Sequence, residues 1–243
     1  MLVSFGTILL TRKSHLKKEN NMNTAEINKI YYVLEKALKK YPLPFAESVY
    51  LEYKKPFFVL IATILSARTL DKTTDVVCKR LFLKVKSFKD LEKISQKELE
   101  KLLYPVGFYK TKAKHLKELP KVVNEKFAGK VPDEIEQLLM LPGVGRKTAN
   151  LVVSVAFGKP GICVDTHVHR ITNILGIVRT KNPHETEKAL REVLPKRLWN
   201  KTNYLFVTLG QNICFSRKPK CRECPIAKMC SVGRRLNNSK KTF

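Results

Sequence analysis

Leu141-Pro142-Gly143-Val144-Gly145-Arg146-Lys147-Thr148-Ala149-Asn150 is the stretch that decides the fold. Apolar residues at helical spacing lead into it (Ile135, Leu138, Leu139), and others lead away (Leu151, Val152, Val155, Ala156). Only Pro142 to Gly145 separate the two runs, so the chain reverses within a very short turn. Gly143 and Gly145 are expected to supply backbone angles that other residues resist, and to let a backbone approach closely from outside. The next helix starts at the turn with its unpaired N–H groups pointing outward, which makes a seat for a phosphate. This is the pattern of a helix-hairpin-helix, which grips a nucleic-acid backbone without reading its sequence. A plain αα-hairpin with a solvated lysine would carry the same glycines. Lys147, in the first turn of the second helix, is a candidate nucleophile beside that grip.

Outward from the hairpin the chain reads as helix after helix. Ile27, Ile30, Tyr31, Leu34 and Leu38 mark one over residues 24–40. Pro56 can open the next, where its missing N–H costs nothing, and Phe57 to Leu65 is apolar on all sides, so that helix should be central. Ser87 with Asp90, and Ser95 with Glu98, resemble capping boxes for two short helices. Residues 110–127 form another, closed by Ala128-Gly129, and Pro132-Asp133 opens the helix that leads into the hairpin. Residues 164–175, 184–194 and 198–213 are three more. No alternating strand pattern and no internal repeat stands out, so the expected fold class is all-α.

Lys and Arg number 47 against 21 Asp and Glu, a formal net charge of +26. That balance suits a polyanionic partner, nucleic acid first, although a lysine-rich proteome would also produce it. No apolar run is long enough to span a membrane. Cys78 and Cys163 lie in apolar stretches and are expected in the core. The other four cysteines crowd together as Cys214-x6-Cys221-x2-Cys224-x5-Cys230. Four thiolates so close can enclose a tetrahedral site, for which zinc and an iron–sulfur cluster are both open on chemistry alone. Residues 1–22 are expected to be a disordered extension, or to precede a natural start at Met22. Their basic residues follow the apolar run rather than precede it, the reverse of a secretory signal. Residues 236–243 are expected to form a basic tail, and Arg234 and Arg235 to share its disorder.

Val164-Asp165-Thr166-His167-Val168-His169-Arg170 follows the hairpin. Together with Leu-Pro-Gly-Val-Gly-Arg-Lys-Thr-Ala-Asn it makes the chain resemble the endonuclease III family of DNA base-excision glycosylases, within the helix-hairpin-helix superfamily. The resemblance runs from about Lys54 to Cys230. It implies a six-helix barrel containing the hairpin over residues 49–160. It also implies a second domain, from residues 23–48 and 161–235, that carries a [4Fe–4S] cluster held by Cys214, Cys221, Cys224 and Cys230. The cleft between the domains would present Lys147 as the catalytic amine and Asp165 as the catalytic carboxylate. The implied activity is that of a bifunctional DNA glycosylase and AP lyase of base excision repair, acting on oxidised pyrimidines in damaged double-stranded DNA. The enzyme would cut on the 3′ side by β-elimination through a Lys147 Schiff base. A mismatch-type thymine or uracil glycosylase of the same superfamily, and a non-catalytic DNA-binding module, are the alternatives. Adenine-removing relatives place a glutamate in the early loop, and residues 65–71 hold none.

The chemistry fits the residue types. Lysine is nucleophilic once deprotonated and its pKa is readily depressed, whereas arginine could not replace it. A carboxylate can stabilise the developing sugar cation and accept the amine's proton; Asp165 could also simply cap the helix that starts at Thr166. The target base must leave the duplex to be reached. Two loops of the family fill the resulting gap, and here they match Leu65 to Asp71 and Val106 to Tyr109. Arg68 stands where the family usually has glutamine, and Phe108 where leucine is common. Arg68 is a candidate void-filler, or a plain phosphate contact; Phe108 is a candidate wedge, or a core residue. Gly143, Gly145, Arg146, His167, Arg217, Lys218 and Lys220 complete the expected DNA-contact set, the last three on the loop after Cys214. His169 is expected to pack. The implied protein is a monomer without membrane attachment. It would work inside the cell, in cytoplasm and nucleoid, or in the nucleus or mitochondrion of a eukaryote.

Overall fold

Helices account for the regular structure of residues 22–238, which a computed structural model describes; among them there is no strand. The expected extension up to residue 21, and Lys240 and Lys241 of the expected tail, lie outside the described residues. Helix α1 (Thr24–Ala37) opens on a capping box: Asn23 accepts from the Glu26 N–H, and Glu26 accepts from the Asn23 N–H, both at 2.9 Å. A 3-10 turn, Leu38–Lys40, prolongs it. Helix α2 (Phe45–Tyr53) was not anticipated from the sequence. Helix α3 (Pro56–Ser66) buries every residue from Phe57 to Leu65 and is the central element its composition implied.

Helix α4 (Asp71–Lys84), also unanticipated, buries Thr74, Val77, Cys78, Leu81 and Phe82. Ser87 caps α5 (Phe88–Lys93) and Ser95 caps α6 (Gln96–Leu103), each accepting from the backbone three residues on. Helix α7 (Tyr109–Phe127) ends on Ala128-Gly129, both in left-handed geometry. The segment into the hairpin holds only the four-residue α8 (Ile135–Leu138), shorter than expected, before α9 (Arg146–Phe157). Then come α10 (Thr166–Leu175), α11 (Pro183–Val193), α12 (Trp199–Asn212) and α13 (Ser231–Asn238). Arg234 and Arg235 stand in α13, not in a disordered tail.

Two buried apolar clusters organise these helices. One runs from Val49 to Ala156 and gathers α2 through α9 around α3. The other joins α1 to α10, α11 and α12, with Ile226 from the cysteine region. The boundary expected between residues 48 and 49 falls inside α2, which packs Phe45, Val49 and Tyr50 on the first cluster as one unit. At roughly 1.5–3 kcal/mol for each fully buried large apolar side chain, Leu60, Ile61, Ile64 and Leu65 alone fix α3 in place. In the second cluster the Tyr31 and Thr202 hydroxyls share a buried hydrogen bond of 2.8 Å that ties α1 to α12. Among the described residues no helix is long and apolar enough to cross a membrane.

Candidate active site

Gly143 holds φ +78°, and a Cβ there would lie 2.8 Å from Nδ1 of His115 on α7. Only glycine meets both conditions. Gly145, the N-cap of α9, has φ −99° and ψ 176°, ordinary extended backbone, so its angles do not demand glycine as the sequence suggested. Nothing lies within 4 Å of where its Cβ would stand. Bare backbone is therefore exposed at the helix N-terminus, with buried Val144 anchoring the turn. Lys147 follows, exposed, in the first turn of α9.

Asp165 caps α10, accepting the Val168 N–H on Oδ1 at 2.8 Å. Asp165 both caps this helix and lines a cavity. Lys147, Asp165 and His167 line one cavity of about 510 Å³ that also meets α2, α4 and α12. Asn150, fully buried, sets their relative position. Its Nδ2 donates to the Arg146 carbonyl at 3.0 Å, and its Oδ1 accepts from the Ile162 N–H at 3.2 Å. Gly161 permits that approach, because a Cβ there would sit 2.7 Å from the Asn150 carbonyl oxygen. Asn203 Nδ2 donates to the Cys163 carbonyl at 3.2 Å and holds the same segment from α12. Asn150 closes the hairpin motif without an evident role in the sequence; its complete burial is what reveals one.

Arg146 is 43% exposed and engages two carboxylates. Its Nε lies 3.2 Å from Glu187 and its Nη1 3.6 Å from Glu136, so its charge is met within the protein. His169 packs as expected, with Nδ1 2.7 Å from the Thr186 hydroxyl. His167 faces the cavity and lies against Gly210, where no side chain would fit. Glu47, on the first turn of α2, was not foreseen. It lines the cavity, and its Oε2 is buried without a hydrogen-bond partner. Burial first, opposed by its own backbone N–H and reinforced by nearby Asp71, pushes its carboxyl up to about 7.

The two expected intercalating loops meet. The Gly107 N–H donates to the Thr69 hydroxyl at 3.1 Å, and the Arg68 guanidinium lies 5.6 Å from the centre of the Phe108 ring. Arg68 and Phe108 both take left-handed backbone angles, φ 55° and 57°. Phe108 is 62% exposed, which removes the core-packing alternative. Beneath them lies Lys112, which nothing in the sequence singles out. It stands in the apolar stripe of α7 with Ala113, Leu116 and Leu119. Its Nζ donates to the Leu65 carbonyl at 2.7 Å, the Ala67 carbonyl at 2.6 Å and the Thr69 hydroxyl at 3.2 Å. Burial lowers it to about 8, against the opposing influence of Cys78.

Residues 61–196 match the family described as HhH-GPD superfamily base excision DNA repair protein. Endonuclease III of Thermotoga maritima is 46% identical over 180 residues, covering 74% of this chain and 84% of that protein. The chain belongs to the endonuclease III family. A non-covalent endonuclease III–DNA complex superposes with a TM-score of 0.79 at 35% identity, over 89% of this chain and 99% of that one. A trapped endonuclease III–DNA covalent intermediate, an estranged-adenine complex, gives 0.72 at 35% identity, over 86% and 98%.

In this endonuclease III family member Cys214, Cys221, Cys224 and Cys230 surround a cavity of about 120 Å³ with apolar residues such as Ile171, Leu209 and Ile213. Burial, opposed by a backbone hydrogen bond and aided by the Cys214, Cys230 and Cys221 thiols, pushes Cys224 up to about 11. Arg170 Nη1 donates to the Cys214 sulfur at 3.4 Å, and Nη2 donates to the Cys214 carbonyl. Among the described residues no three His, Cys, Asp or Glu side chains converge tightly enough to hold a metal ion. The loop leaving Cys214 exposes Arg217, Lys218 and Lys220, and Lys220 reaches Glu223 at 4.0 Å. Cys78 and Cys163 are core residues, as expected.

Proposed function

We propose that Lys147 is the nucleophilic amine and Asp165 the carboxylate partner of this bifunctional DNA glycosylase/AP lyase of base excision repair, and that its substrates are oxidised pyrimidines in duplex DNA. The observation that carries the assignment is the shared cavity. It is lined by an exposed lysine at a helix N-terminus and by a carboxylate whose cap uses one oxygen. The amine attacks C1′ as the base departs, and the carboxylate stabilises positive charge on the sugar and takes the amine's proton. The resulting Schiff base acidifies the 2′ proton, and elimination breaks the strand on the 3′ side. The bare backbone at Gly143 and Gly145 receives a phosphate of the lesion strand. Arg68 and Phe108, stacked and exposed, fill the gap left by the extruded nucleotide. His167, Arg217, Lys218 and Lys220 contact DNA, and Arg146 does so only by releasing Glu187.

The cysteine site fits a [4Fe–4S] cluster better than a single ion. Sulfurs spread around an apolar cavity suit a cuboidal cluster that fills it, whereas one zinc ion needs its ligands drawn together. When bound, such a cluster supplies a rigid cross-link between four points of the loop, and Arg217, Lys218 and Lys220 gain a fixed base for phosphate contact. Each apolar cluster is taken as the core of one domain, with the cleft between them. The protein acts as a monomer wherever the cell keeps its DNA.

Borohydride trapping on a duplex with one abasic site tests the assignment. Wild type should form a covalent adduct and Lys147→Gln none. An adduct retained by Lys147→Gln, or absent from wild type that binds the duplex, would overturn it.

A further inference from the structure

We infer that Glu47 touches the extruded base, and that its carboxyl group pairs with the hydrogen-bonding edge of the pyrimidine while Lys147 and Asp165 act on the sugar. The inference rests on the reading of Lys147 and Asp165 given above. Glu47 lines the same cavity as those two residues, although it comes from the opposite end of the first cluster's sequence. A buried side-chain oxygen without a partner is uncommon in a folded protein, and Glu47 Oε2 is one. Among the described residues Glu47 makes no ion pair, although Lys72 and Lys147 line the same cavity. Phe45, Leu151 and Val207 supply apolar wall around it. A pyrimidine ring with a polar edge fits such surroundings: ring carbons against apolar side chains, edge toward the unsatisfied oxygen.

The chemistry of the carboxyl narrows the ligand. With burial raising it to about 7, the group is present near neutrality in both protonation states. The protonated form offers an O–H donor and a carbonyl acceptor side by side. Thymine-type edges place N3–H beside a carbonyl, and cytosine-type edges place N3 beside an amino group. Either matches a carboxylic acid that turns over. The carboxyl therefore accommodates pyrimidine edges of both kinds and does not single out one lesion.

The test compares Glu47→Gln and Glu47→Leu with wild type in two single-turnover reactions. One is release of thymine glycol from a duplex; the other is cleavage of a duplex with a preformed abasic site, which has no base to recognise. The expected result is a ratio of base release to abasic cleavage that falls about tenfold or more in Glu47→Leu, the penalty of an unpaired edge. The ratio stays within about threefold of wild type in Glu47→Gln, which keeps a donor beside an acceptor. Equal loss in both reactions for Glu47→Leu would mean a structural role and overturn the inference. So would an unchanged ratio, or a Glu47→Gln protein as defective as Glu47→Leu. Should Glu47→Leu not fold, the smaller Glu47→Ala is read by the same ratio. Failure of wild type to cleave abasic DNA would count against Lys147 instead, and base release alone would still report on Glu47.

Discussion

Replacing Glu47 by glutamine should stabilise the protein at alkaline pH and do little near pH 5. In the fold the carboxyl sits at about 7, against a usual 4.5. Between those values the native state binds more protons than the unfolded chain, so wild-type stability falls as pH rises from 4.5 through 7 and the loss is complete above 7. At about 1.4 kcal/mol per tenfold change in proton affinity, the ceiling of the loss is about 3 kcal/mol. The cavity that Glu47 lines admits water, which weakens the effect, so about 1–2 kcal/mol is expected. The groups around it are Asp71 and Lys72 from α4, Lys147 from α9, Cys163 and Asp165 before α10, His167 on α10 and Tyr204 from α12. Asp71 opposes its ionisation. Glutamine keeps the shape and carries no charge at any pH. Thermal unfolding of wild type and Glu47→Gln in parallel between pH 5 and 8 should therefore show curves that separate. The variant should gain roughly 2–8 °C by pH 8, given about 2–4 °C per kcal/mol for a chain of this size. A constant gap across that range, or a less stable variant at pH 8, would refute the reasoning.

Two other outcomes follow from single observations. Lys112→Met removes three donations to the loop that carries Arg68, leaving the buried Leu65 carbonyl unmet, and should cost about 1–3 kcal/mol in urea unfolding; a midpoint like that of wild type would show that the lysine does not hold the loop. Changing Arg217, Lys218 and Lys220 together to alanine should flatten the dependence of log DNA affinity on log salt, by roughly 0.9 for each phosphate no longer neutralised. An unchanged slope in fluorescence-anisotropy titrations would place these three side chains away from the phosphates.

The sequence displayed what is local. The capping oxygens of Ser87, Ser95 and Asp165 act within a few residues of themselves, and the structure finds each in use. The unbroken apolar run of α3 could only be central. Helix α4 has an equally regular stripe from Thr74 to Phe82, but it opens on Asp71-Lys72-Thr73-Thr74, whose polarity hides the period. Helix α2 buries only Ala46 and Val49 and begins after Pro44 without a side-chain cap, so it lacks both start signal and stripe.

The same division runs through the cleft. Lys147 and Asp165 were legible because each sits in a contiguous motif whose spacing advertises it. Glu47, Lys112 and Asn150 were not, because their partners lie far along the chain: Lys112 donates to Leu65, and Asn150 accepts from Arg191 at 2.9 Å. The ion pair of Arg146 was hidden for the same reason, since Glu187 lies on another helix. What such residues do share is a polar group placed where the surroundings are apolar. A lysine in the buried stripe of α7 must find acceptors or lose its charge, and a glutamate with a buried oxygen must find a partner or hold its proton. Lys112 found three acceptors within the fold. Glu47 found none for Oε2, and that difference separates a residue that completes the architecture from one still owed a ligand.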